Sequence, residues 1–161
     1  GYEVSAVQNP LSSYEADIET TKRLIDAQSG PTVVVAHSYG GAVITAAAAD
    51  NPNVKSLVYI AAFANDVGEP LGPLLEKYPS KVGAAFRPDA AGFLTIDRAQ
   101  FHEIFAQDLP RVQTSVMAAT IRATNTGQCR YRRNMDSSFR KWLTTTKAAD
   151  HGVRRLRSRR N

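Results

Sequence analysis

From Thr32 to Ala36 the chain reads Thr-Val-Val-Val-Ala, and from Ser56 to Ala61 it reads Ser-Leu-Val-Tyr-Ile-Ala. Short apolar runs rich in β-branched residues predict strands of a parallel sheet buried on both faces. Between them, Tyr39 to Ala49 is a stretch of small, helix-tolerant residues that ends at Asn51-Pro52-Asn53, which predicts a helix packed closely on the sheet. Upstream, Ser12 or Ser13 can cap another helix. Its Ile18, Leu24, Ile25 and Ala27 share one side, its Glu15, Asp17 and Glu19 lie near the positive N-terminal end, and Ser29-Gly30-Pro31 stops it. Tyr2 to Val7 alternates polar with apolar or small residues before Asn9-Pro10 and predicts a short strand entering a turn. Strand, helix, strand, helix, strand is the pattern of βαβ units, so the expected class is α/β, with a parallel sheet and helices on both faces.

After Phe63 the pattern changes. Gly68, Pro70, Gly72, Pro73, Pro79, Gly83, Pro88 and Gly92 punctuate short helix candidates at Leu71 to Tyr78 and Arg98 to Gln107, and Val112 to Ile121 predicts a further amphipathic helix. Beyond Arg122 no strand is expected, and Phe139, Trp142 and Leu143 form a small apolar cluster.

Charge divides the chain more sharply than hydropathy does. The net +5 conceals 8 Lys/Arg against 13 Asp/Glu in residues 1–121 and 12 against 2 in residues 122–161. The arginine-rich end from His151 to Arg160 has no apolar period and is expected to be a solvated tail. It offers phosphate groups a salt-sensitive attraction, but without aromatic interleaving or a nucleic-acid-binding motif no specific nucleic acid is expected. A single cysteine, Cys129, excludes an internal disulfide framework and a multi-cysteine metal site. Its arginine neighbours would favour a thiolate, although a stray free cysteine is the plainer reading. With no signal-peptide pattern at Gly1-Tyr2-Glu3-Val4 and no long apolar run, the expectation is a cytoplasmic protein with no membrane contact, cofactor or metal.

The sequence Ala36-His37-Ser38-Tyr39-Gly40 joins the first predicted apolar strand to the small-residue helix. A serine on so tight a strand-to-helix turn projects its hydroxyl above the carboxyl ends of the strands, where open α/β sheets bind ligands. The turn requires small residues two before and two after the serine, and Ala36 and Gly40 meet that need. The helix then aims its N-terminal dipole at the site and places the Tyr39 N–H to stabilise an oxyanion. Ser38 is therefore the candidate nucleophile, Tyr39 the oxyanion donor, and Ala36, His37, Gly40 and Gly41 the elbow support. The competing reading is a plain strand-to-helix turn with a capping serine.

Val33 to Ile44, with this turn at its centre, resembles the nucleophile elbow of bacterial α/β-hydrolases related to small esterases. Gly1 to Leu11 is similar to an earlier sheet strand of that family, Leu57 to Ala64 to the strand after the elbow, and about Gly68 to Thr120 to its helical cap, including Phe101 to Leu109. The resemblance implies three regions: residues 1–65 a partial α/β-hydrolase core, 66–121 the helical cap, and 122–161 a divergent basic C-terminal segment.

The resemblance also says what to look for and does not find. Family members begin with a strand ending in a His-Gly loop that supplies a second oxyanion donor, and no such loop precedes Gly1. They end with strands that carry the triad acid and then its histidine. Asp136, Asp150 and His151 occur after Thr120 without strands to place them, so the triad acid and histidine stay unassigned. A truncated, divergent or frame-shifted C-terminus is expected. His37 points away from the site in such elbows, His102 reads as a packing or surface residue of the cap, and Asp66 and Asp108 read as solvated loop acids. The expected function is a serine hydrolase acting on small esters with an incomplete catalytic apparatus. The alternative is a noncatalytic hydrolase-fold remnant, or a binding protein acting through its basic tail.

Overall fold

Ser13 begins the first helix: its side-chain oxygen accepts from the Ala16 N–H at 3.1 Å, capping α1 (Tyr14–Asp26). The computed structural model describes residues 1–66 and 69–125. After α1 come β1 (Thr32–Ser38), α2 (Gly40–Ala47) and β2 (Val54–Ala62), and β1 and β2 pair in parallel. Phe139, Trp142, Leu143, Cys129, Asp136, Asp150, His151 and the arginine-rich end lie outside the described residues.

Both helices pack on the same face of the β1–β2 pair. Ile25 of α1 and Ala47 of α2 meet Val34, Val54 and Leu57 of the strands, while Tyr14, Ala42 and Val43 form a second cluster nearer the elbow. The apolar runs predicted strands covered on both sides, yet in the described residues the opposite face stays open, with Val33 59% and Val35 56% exposed beside Val58 and Ile60. Alternation settles this face by face: Val34 and Leu57 point to the helices, and Val33, Val35 and Ile60 point away.

The strand expected over Tyr2 to Val7 does not form. Tyr2 is 99% and Val4 85% exposed, and no described strand lies beside this segment to complete a ladder with it. A strand is held by hydrogen bonds to a neighbour, so alternation without one leaves an extended chain.

Beyond the sheet, α3 (Leu71–Lys77), α5 (Phe101–Phe105) and α6 (Arg111–Thr120) answer the helices read from the sequence, although α5 is shorter than Arg98 to Gln107 implied, and a short α4 (Lys81–Ala85) adds one that was not read. This region is not wholly helical. β3 (Phe86–Pro88), β4 (Phe93–Ile96) and β5 (Thr124–Asn125) form an antiparallel sheet in the order β3-β4-β5, and β5 lies where no strand was expected. A separate apolar cluster holds it together: Phe101, Ile96, Ala85, Ala106 and Ala118. On α6 the buried side carries Thr114 and Ala118, while Val112 and Val116 face solvent. No described helix is long and apolar enough to cross a membrane.

The helix α2 approaches the end of β2 tightly at Gly41. A Cβ there would meet the Phe63 carbonyl oxygen at 2.2 Å and the Ala62 Cβ at 2.8 Å, so α2 can lie on the end of β2 only without a side chain at this position. At Gly40 a Cβ would meet only the Ala36 Cβ, at an ordinary 3.4 Å. Gly41→Ala is therefore expected to cost about 1–3 kcal/mol through overpacking. Gly83→Ala, where a Cβ meets nothing within 4 Å, is expected to melt at or slightly above the parental temperature. Equal melting temperatures for the two variants in a calorimetric scan would refute this assignment of the tight contact.

Candidate functional site

Ser38 closes β1 with φ 53°, a left-handed conformation that a residue with a side chain adopts only at a cost of order 1–3 kcal/mol. The reversal at Ser38 lets the chain enter α2 within one residue: Tyr39 already has helical angles, φ −54° and ψ −32°. The opposite strand is irregular at the same level. His37 pairs with Ile60 and Ser38 with Ala62, so Ala61 is an extra residue, and it too has a positive φ of 42°. The Phe63 N–H donates to the Ser38 carbonyl at 3.0 Å and ties the turn to the end of β2.

Ser38 is half-buried and lines a cavity of about 1000 Å³ between the sheet end and the region after Phe63. Tyr39 and Gly40 line it as well, placing the start of α2 beside the serine. Helix geometry leaves the first N–H groups without intrahelical partners, so this end presents donors and the positive end of a dipole. Such a turn can present a nucleophilic oxygen and a backbone oxyanion donor together. Leu75, Val82, Phe86, Leu94 and Ile104 supply apolar walls. Arg122 is the one charged residue among the described lining residues, and its guanidinium donates to the Asn9 and Pro10 carbonyls at 2.8 and 3.1 Å.

Neither described histidine hydrogen-bonds to Ser38. The His37 ring meets Phe105 edge-on at 6.3 Å, and His102 Nδ1 lies 3.1 Å from Thr114 Oγ1, so His102 has a packing role. Asp66 donates its backbone N–H to Glu69 Oε2 at 2.9 Å within an exposed turn, and neither Asp66 nor Asp108 lines the cavity. The described residues hold no cluster of three or more His, Cys, Asp or Glu able to bind a metal.

One role went unread in the sequence. Asp17 lies in the first turn of α1, as expected, but it is also fully buried and accepts from the Tyr39 hydroxyl and the Leu11 N–H, both at 2.8 Å. The sequence signal was available: Asp17 is three positions from Tyr14 and four from Thr21, both buried on the same helix face.

The sequence model of the Alpha/beta hydrolase family matches residues 4–159. The chain belongs to the α/β-hydrolase family. The matched span continues through most of the basic segment set apart in the sequence. A crystal structure of a single-residue variant of PytH superposes with a TM-score of 0.57 at 18% sequence identity, covering 81% of this chain and 55% of that one. The chain thus spans little more than half the length of that neighbour, and the likeness extends to the fold. No individually curated protein matches significantly.

Burial and the hydrogen bond to Asp17 push the Tyr39 phenol well above its ordinary pKa. A folded-state pKa raised above the unfolded value of about 10 contributes stability that is complete below pH 10 and declines above it, because the unfolded chain ionises first. The parent is expected to lose melting temperature more steeply above pH 10 than Tyr39→Phe does. Parallel curves for the two proteins between pH 9 and 11.5 would remove this role for the phenol.

Proposed function

We propose that this α/β-hydrolase is a serine hydrolase of carboxylic esters, with Ser38 as nucleophile and the Tyr39 N–H as one oxyanion donor. The observation that carries the reading is the left-handed Ser38 at the β1–α2 junction, opening into an apolar cavity. In the first step Ser38 Oγ bonds to the acyl carbon as its proton leaves to a base, and the carbonyl π electrons move onto oxygen. The Tyr39 N–H and the α2 dipole stabilise that oxyanion. Collapse breaks the bond to the alcohol, which leaves with a proton, and water then hydrolyses the acyl-serine to the acid. His151 and the acids Asp136 and Asp150 lie outside the described residues, and the base is assigned to none of them.

The walls favour uncharged substrates, since the described lining residues are mostly apolar and the one cation among them, Arg122, is turned toward the Asn9 and Pro10 carbonyls. Neutral p-nitrophenyl butyrate is expected to be cleaved with a kcat/KM at least about tenfold above that of an ester bearing a free carboxylate, the scale expected for leaving one charge unpaired in an apolar site. An equal or reversed preference would contradict the reading of the walls.

A second reading, a noncatalytic member of the fold, is favoured by one observation: among the described residues no imidazole hydrogen-bonds to Ser38. A fluorophosphonate separates the two. The serine-hydrolase reading expects a mass shift on the Ser38 peptide that Ser38→Ala abolishes. A folded sample that takes no label at Ser38 would favour the noncatalytic reading.

A further inference from the structure

A carboxylate with no exposure is expensive unless hydrogen bonds replace its water, and an apolar side chain would fill the same space at less cost. Asp17 is in that position, directly behind the elbow. One oxygen accepts from the backbone N–H of Leu11, itself left-handed at φ 59°, and the other accepts from the phenol of Tyr39. The Tyr39 ring stands edge-on to Tyr14 at 6.2 Å, and the Tyr14 hydroxyl donates to the Ala42 carbonyl in the first turn of α2 at 2.8 Å. The elbow is thus tied to α1 by two crossed tyrosines, one reaching from the turn to α1 and one from α1 to the helix after the turn. Of the two, Tyr39 adjoins the serine, and its side chain and its N–H share one Cα.

We propose that Asp17 is a positioning residue for the Ser38 site. By holding the Tyr39 phenol it fixes the side-chain rotamer and backbone of the residue after the serine, and so the direction in which the Tyr39 N–H points. The proposal rests on the ester-hydrolase reading for its chemical consequence, and on the buried contacts alone for its structural one. A donor shared with a transition state must hold its place to within about 0.5 Å, and a residue braced only by apolar packing can rotate more freely than one held by a directional, charge-assisted bond. The Leu11 bond gives the carboxylate its own fixed orientation, so the brace runs from a loop through α1 to the turn.

The test uses the full chain and four proteins: the parent, Tyr39→Phe, Asp17→Asn and Ile25→Val, the last loosening the far end of α1. The rate of Ser38 labelling by a fluorophosphonate is measured per folded fraction, together with hydrogen exchange of the peptide spanning residues 37–42. Tyr39→Phe is expected to be labelled about tenfold more slowly and to exchange faster across 37–42, the scale of one charge-assisted hydrogen bond. Asp17→Asn, which keeps the shape but can no longer accept both bonds, is expected to show the same two effects where it folds. Ile25→Val is expected to match the parent in both. Parental labelling and parental exchange in Tyr39→Phe overturn the proposal, as does an equal slowing in Ile25→Val, which would make the effect one of general stability. If the parent takes no label, the ester-hydrolase reading fails instead, and exchange at 37–42 alone decides whether Asp17 braces the turn.

Discussion

Ser38 can hold a left-handed backbone only while its two flanks are pinned, and the close approach of α2 to the end of β2 supplies the pin. On one side the Phe63 N–H holds the Ser38 carbonyl, and on the other Gly41 lets the first turn of α2 settle against Phe63 and Ala62. Ala61, the extra residue of the bulge opposite, turns the end of β2 so that the Phe63 N–H and carbonyl face the elbow and the helix. Local strain of this kind survives where surrounding contacts over-determine it. Here the last two residues of β2, the Phe63 that follows them and one glycine of α2 do so.

That pinned corner also organises what lies around it. Tyr14, Ala42, Val43 and Leu71 form one buried cluster, with Tyr39 and Phe63 packed against it. α1, α2, the elbow and the first helix beyond the sheet therefore share a core, and α3 takes its position relative to Ser38 from the same contacts that hold the turn. Leu71 belongs to both the core and the cavity lining, so part of the wall is carried by an element anchored in the cluster behind the elbow. The second apolar cluster, around Phe101 and Ile96, contains none of these residues and gives the outer wall its own support.

What the sequence disclosed follows from how local each feature is. β1, α2 and β2 were readable because β-branched runs and a small-residue helix declare themselves within ten residues, and the family match and superposition bear out the α/β fold they implied. The antiparallel β3-β4-β5 sheet was not readable. Its strands have two to four residues, too few for a period, and β5 meets β4 across thirty or more positions. Tyr2 to Val7 shows the converse, an alternating pattern with no described neighbour to pair with. At the elbow the motif drew attention to Gly40, whereas the structure places the tighter demand at Gly41, because which glycine meets a neighbouring carbonyl depends on how deeply α2 lies on β2. The second role of Asp17 was hidden for a similar reason: its place in the first turn of α1 was read correctly, but the phenol that it holds is 22 residues away.

The division between readable and unreadable parts of the site has a chemical origin. The proposed oxyanion donor is a backbone N–H, and any residue in that place supplies one, so the turn alone points to it. The side chain of the same residue is under a different constraint. A phenylalanine at position 39 would leave the N–H in place and keep most of the packing against Tyr14, but only a hydroxyl can meet the buried carboxylate of Asp17. The choice of tyrosine is therefore explained by α1 rather than by the reaction. A motif of five residues records the groups that act, whereas the groups that hold them in place are distributed among elements the motif does not contain.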